Sequence, residues 1–227
     1  MTAPAWLAPL VAAVRDVRAA DLMPRVGEPD AGVRRSAVLA LFGETETDGP
    51  DVLLIQRSAH LRSHAGQPAF PGGGVDATDD GPVGAALREA QEETGLDPDG
   101  VEVLAVLPDL WVPPSANVVT PVLAWWREPS EVSAADTYEV ASVARVPIAE
   151  LVEPANRLQV RHPSGWIGPA FRVADMLVWG FTAGVLDRLL DLGGWNRSWD
   201  RSVVEDLPED VLALALRQRR AAGGPEA

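Results

Sequence analysis

The sequence predicts an α/β (α+β) protein in which helices cover both faces of a sheet. Three observations predict it. Short β-rich segments recur along the chain, interleaved with two long helical patterns, and such a mixture buries its apolar surface as helix–sheet–helix layers. The 227 residues suit one domain with extensions and suffice to bury a core. No internal repeat and no coiled-coil heptad competes with that reading.

Taken in order, residues 1–30 read as a short helix and a Pro/Gly-bearing linker, an N-terminal extension. The apolar run Ser36 to Gly43 predicts a strand, the polar Glu44 to Pro50 a turn, and Val52 to Gln56 a second strand. A helix is predicted after Asp79 or Asp80, either of which can cap it; Pro82 suits its first turn and Gly95 its left-handed end. Val101 to Leu107 and Val118 to Trp126 are β-rich, and Trp125 and Trp126 should point to opposite faces. Glu139 to Val146 alternates like a half-buried strand, and Ile148 to Val152 starts a short helix. Further strands are expected between Leu158 and Val173, broken at His162-Pro-Ser-Gly165. Met176 to Leu192 and Val203 to Arg220 carry helical apolar patterns. The main domain is placed at 31–192, with a C-terminal helical extension at 193–227.

The most informative segment lies on the first long helix. At about 100° per residue, Glu89, Glu92 and Glu93 fall within an arc of roughly 100°. Like charges so spaced repel by a few tenths of a kcal/mol per pair. A charge run is ordinarily a solvated face. A hard divalent cation with oxygen ligands would remove the repulsion. Val83, Ala86, Leu87 and Ala90 form an apolar stripe on a different side, so one face can bury while the other coordinates.

The whole pattern decides between those readings. Arg88-Glu-Ala-Gln-Glu-Glu-Thr-Gly-Leu96 resembles the second half of the Nudix box at every position. The first half opens on Gly74 and reaches Asp80, or opens on Gly73 and reaches Asp79, with Asp where Glu is usual. The resemblance implies a mixed β-sheet sandwiched between helices and hydrolysis of a diphosphate linked to another moiety, with Mg²⁺ or Mn²⁺ as cofactor. It maps metal binding onto Glu89, Glu92 and Glu93 and an orienting role onto Arg88.

Just upstream, Leu53-Leu-Ile-Gln-Arg57-Ser58, Arg62, Gly66 and Phe70-Pro-Gly-Gly73 are similar to the signature of the coenzyme A pyrophosphatase branch of Nudix enzymes. Ile55 stands where Thr is common and Pro68 where an aliphatic residue is usual. The resemblance implies substrate contacts at Arg57, Arg62, Gly66, Phe70, Gly72 and Gly73. Arginine forks suit phosphate oxygens, and glycines allow close backbone approach. Val178-Trp-Gly-Phe-Thr-Ala-Gly184 is similar to a late segment of the same branch. Trp179 and Phe181 are expected in the core, and Thr182 and Gly184 at close helix packing.

Composition excludes other classes. A net charge of −14 disfavours nucleic acid and anionic membranes as partners. All 19 basic residues are arginine, which removes Walker-type phosphate loops and Schiff-base chemistry, and the absence of cysteine removes thiol catalysis and disulfides. Trp6 to Val14 is too short to span a bilayer and lacks a basic lead-in, so a cytoplasmic location is expected. His60, His64 and His162 show no paired-ligand spacing, and His64 is assigned to loop structure. Eight tryptophans leave room for a homodimer contact.

The expected partner is a small-molecule diphosphate. Three readings stay open: cleavage of coenzyme A or its acyl esters to 3′,5′-ADP and the phosphopantetheine part, cleavage of an ADP-sugar or dinucleotide, or a silent nucleotide-binding module. The general base is Glu89 or an acid from a later loop, for which Glu139 is the candidate.

Overall fold

The computed structural model describes residues 3–23, 32–61 and 64–214. In chain order its elements are α1 (Ala8–Ala13), α2 (Ala19–Leu22), β1 (Arg34–Thr45), β2 (Gly49–Arg57), β3 (Pro68–Ala69), β4 (Gly72–Gly74) and α3 (Gly81–Thr94). Then come β5 (Val101–Val106), β6 (Leu110–Val112), β7 (Asn117–Trp126), β8 (Val140–Pro147), α4 (Ile148–Leu151), β9 (Arg157–Arg161), β10 (Ile167–Val173), β11 (Met176–Val178), α5 (Gly180–Leu192) and β12 (Val204–Asp206).

The main sheet runs β3-β2-β1-β7-β5, with β4 on β1, β6 on β7 and β8 on β2. It is mixed: β1 and β7 run parallel from Arg34↔Asn117 to Phe42↔Trp125, and its other pairs are antiparallel. Side chains alternate across the pleat. On one face Leu39, Leu41, Leu53, Val122 and Trp126 pack against Ala85, Ala86 and Ala90 of α3. On the other, Ala40, Phe42, Leu54 and Leu123 meet Leu7 and Leu10 near the N-terminus and Val185, Leu186, Leu189 and Leu190 of α5. Trp125 packs on this second cluster and Trp126 on the first, so both rings are covered. The chain is thus a mixed sheet between helical layers.

A smaller sheet, β11-β10-β9-β12, lies beyond α4 in sequence. Its third cluster gathers Leu158, Val160, Ala170 and Leu207, with Trp166, Leu177, Trp179 and Val211 packed on it. Two expectations are corrected here. Met176–Val178 is a strand, and the helix begins only at Gly180, whose φ of +66° breaks the run. Residues 203–220 are not one helix: Val204–Asp206 pairs in parallel with β9, while 215–220 lie outside the described residues. The added strand is attached by its ladder with β9 and flanked by two exposed ion pairs, Arg161 to Asp206 at 3.2 Å and Arg172 to Glu205 at 2.5 Å. No helix among the described residues is long and apolar enough to cross a membrane.

Candidate functional site

β2 ends at Arg57, and the chain then loops through Gly66 to β3, β4 and the start of α3. Arg57 faces Val140 across the sheet, where the β2–β8 register slips between Gln56 and Arg57. Such a bulge re-aims a side chain and is common beside active sites. The Ser58 amide donates to the Glu139 carbonyl at 2.8 Å, clipping the 136–139 turn to the same edge. β4 lies on β1 through Gly73↔Ala37, which sets the glycines against the flank of α3.

The helix forms as its end signals require. Asp80 is its N-cap, without a side-chain capping bond; Pro82 sits in the first turn, and Gly95 ends it at φ +71°, its amide donating to Gln91. Alanines at 85, 86 and 90 allow close approach to the sheet. That closeness also buries Glu93, whose residue is 2% exposed.

Glu93 is held from two sides. Arg57 Nη1 donates to Oε1 at 3.0 Å and the Gly72 amide to Oε2 at 2.9 Å. Burial still pushes its pKa up to about 7, against the pull of Gly72 and Arg57, and the charges of Glu89 and Glu139 add to the rise. Burial likewise raises Glu89, opposed by Arg88. Arg88 is the hub of the exposed side. Its Nε and Nη2 grip Asp79 at 2.9 and 3.0 Å, Nη1 reaches Glu89 at 3.0 Å and Glu92 at 3.2 Å, and Nη2 also donates to the Gly74 carbonyl at 3.1 Å. That fork holds the Asp79 carboxyl below the usual carboxylate range. Of the two acids that the sequence left open, Asp79 is the one paired with Arg88, while Asp80 stands at the helix N-cap. The signal was present in the alternative spacing from Gly73.

The structure brings Arg57, Gly72, Gly73, Arg88, Glu89, Glu92 and Glu93 together, and Glu139 lies near enough for its charge to act on Glu89 and Glu93. Other expected contacts differ. The Phe70 ring is 2% exposed and belongs to the core, so the side chain is not available to a ligand. At Gly66 the space a side chain would fill is taken by Leu214, whose Cδ1 would lie 2.6 Å from an added Cβ. Nothing in the local pattern could have announced a neighbour so distant in sequence. Arg62 lies outside the described residues. His64 takes φ +55° and pairs with Gln67 at 2.9 Å, which makes it part of the loop's own structure.

These donors fit a hard divalent cation. They are carboxylate oxygens, two of them are held toward the neutral form by burial, and a cation compensates that desolvation. As placed, the carboxylates are divided between Arg57 and Arg88, and no three acidic or histidine side chains among the described residues converge on one point.

A NUDIX domain family model matches residues 33–165, from the start of β1 into the hairpin after β9. A Citrobacter koseri protein named uncharacterized Nudix hydrolase NudL is 39% identical over 181 residues, covering 74% of this chain and 87% of its own length. A protein of the same name from Salmonella heidelberg is 38% identical over the same shares. Among solved structures, a Nudix hydrolase from M. Smegmatis, RenU, aligns with a TM-score of 0.47 and 22% identity, over 74% of this chain and 91% of that one. A family match over more than half the chain, with relatives this similar across most of their own length, leaves one assignment: the chain belongs to the Nudix hydrolase family.

Proposed function

We propose that this Nudix hydrolase is a metal-dependent coenzyme A diphosphatase, cleaving coenzyme A or acyl-CoA to 3′,5′-ADP and (acyl-)4′-phosphopantetheine. The observation that carries this reading is Arg57. It is the first arginine of the segment similar to the coenzyme A signature, and it pairs directly with Glu93 of the box. Only Nη1 is engaged there, and the side chain keeps a fifth of its surface, 20%, exposed. Donor capacity for a phosphate oxygen therefore remains beside the carboxylates.

Glu89, Glu92 and Glu93 would hold Mg²⁺ or Mn²⁺. When bound, such a cation lowers the pKa of a coordinated water and neutralises charge on diphosphate oxygens. The chain's own residues do the rest. Arg88 fixes Glu89 and Glu92 from one guanidinium, itself anchored on Asp79, so the carboxylates are oriented before substrate arrives. Arg57 receives a phosphate and offsets charge that develops on it. Gly73, lacking a side chain, lets the Glu89 carboxylate lie directly against the β4 backbone. Glu89 or Glu139 accepts the proton of the attacking water; both adjoin Glu93 electrostatically.

The test is incubation with coenzyme A and Mg²⁺ or Mn²⁺, with ADP-ribose alongside and products resolved by chromatography. Appearance of 3′,5′-ADP and 4′-phosphopantetheine is expected. Glu93→Gln should lose most turnover, at least about 100-fold, with its unfolding transition retained. Cleavage of ADP-ribose alone would overturn the substrate class, and an unchanged rate in Glu93→Gln would remove α3 from the mechanism.

A further inference from the structure

At Gly66 the end of the described chain returns to the candidate site. Leu214 rests on the glycine backbone, since a methyl group there would lie 2.6 Å from its Cδ1. The segment leading to Leu214 is anchored independently. β12 pairs with β9, the Leu207 amide donates to the Arg161 carbonyl at 3.1 Å, and Leu207 and Val211 pack with Leu158, Val160 and Ala170. Two residues beyond Gly66, the Pro68 carbonyl accepts the Thr182 hydroxyl of α5 at 3.1 Å.

The same turn is joined to β2. The Arg57 amide donates to the Gln67 carbonyl at 3.1 Å, and the Gln56 side-chain amide donates to the Gly66 carbonyl. Within the turn, the Gly66 amide donates to Ser58 at 3.3 Å and the Gln67 amide to His64 at 3.1 Å. The turn is therefore gripped between the end of β2 and residues that follow the family-matched stretch 33–165. Its position at Gly66 and the backbone position of Arg57 are mechanically one.

We propose that Leu214 is a positioning residue for the candidate diphosphate site, acting through Gly66 to hold the turn that fixes Arg57. This rests on the reading that Arg57 receives a substrate phosphate. Leu214 carries no charge and no polar side-chain atom, so its replacement takes no charged group from the site. What is lost is the wall against which the glycine turn is set.

The experiment compares the full-length chain with Leu214→Ala and Leu214→Met, using backbone hydrogen exchange and binding of Mg²⁺ with imidodiphosphate, a non-hydrolysable probe lacking any nucleoside. Leu214→Ala is expected to speed exchange of the Gly66 and Gln67 amides about tenfold while β1 amides keep their protection. Its Kd for the probe should rise about three- to tenfold, with the global unfolding midpoint retained. Leu214→Met, which keeps the volume, should restore both. Unchanged exchange overturns the proposal, and faster exchange with an unchanged Kd reduces Leu214 to a structural contact and also overturns it. If the wild type fails to bind the probe, the diphosphate reading itself falls and the positioning role falls with it. The exchange result then separately reports whether Leu214 holds the turn.

Discussion

A methyl group at Gly73 would lie 2.4 Å from Cδ of Glu89 and 2.5 Å from each of its carboxylate oxygens. The obstacle is the far end of a flexible side chain, so the fold can accommodate alanine while the carboxylate cannot stay where it is. Displacing a reacting group by about 1 Å can cost about 100-fold in rate. Gly73→Ala is therefore expected to lower kcat by about that factor while its melting temperature stays close to that of the wild type, as calorimetry and initial-rate measurements on one preparation would show. An unchanged kcat would mean that the Glu89 position is immaterial. Gly72 differs: its Cβ would meet the Ala37 carbonyl at 2.3 Å at φ +155°, so substitution there strains backbone. At this scale the box residues were legible because their spacing on one helix is local. The Arg57–Glu93 pair was not, because it closes across 36 residues. The packing of the Phe70 ring into the core was hidden for a related reason, since a motif position does not report which way its ring packs.

Between elements, the most heavily buried acid outside the site is Asp51 on β2, 1% exposed. Arg145 of β8 donates to it from Nε at 2.9 Å and lies over the Trp126 ring at 4.6 Å. Burial nonetheless pushes the Asp51 carboxyl above its ordinary range, outweighing Arg145. A carboxyl whose folded pKa is raised binds its proton more tightly in the folded chain. Its contribution to stability is then fullest below the unfolded value, about 3.9, and is lost as pH rises through the raised value. Asp51→Asn, which cannot ionise, should lack this component. Going from about pH 4 to 7, the stability difference from urea unfolding should shift in the variant's favour. A shift toward the wild type would mean that Arg145 dominates. Strand existence was readable here: the pattern predicts 36–43 and 139–146 where β1 and β8 run 34–45 and 140–147. β12 was hidden because three residues carry no periodicity, and its partners Arg161 and Arg172 lie on other strands. The apolar run from Met176 fits helix or strand equally, and only Gly180 divides it.

For the whole molecule, the family-matched stretch and the folding unit differ. Residues 33–165 supply the sheet and α3, yet the sheet's second face is covered from outside that range. Leu7, Leu10, Val14 and Leu22 come from before it, and Val185, Leu186, Leu189 and Leu190 from after it, all 5% exposed or less. At about 1.5–3 kcal/mol for each buried side chain, these eight together are comparable with the ~5–15 kcal/mol by which a domain is normally stable. The two terminal segments also hold each other, since Arg188 of α5 donates to the Asp21 carbonyl at 2.8 Å. Sequence reading placed the boundary at the linker near residue 30 because Pro and Gly mark it, and a linker's composition is silent about where the helix before it docks. The expected consequence is specific. A chain cut to residues 33–165 should bare Ala40, Phe42, Leu54 and Leu123 to water, bind a hydrophobic dye and show no cooperative transition in urea, whereas the full-length chain unfolds in one sharp step. A cut chain with the full chain's midpoint would show that the second helical layer is only a covering. Loss of cooperativity would instead make both terminal segments part of what holds Arg57 and α3 in register, because β1 and β2 carry the site on one face of the same strands whose other face those segments bury.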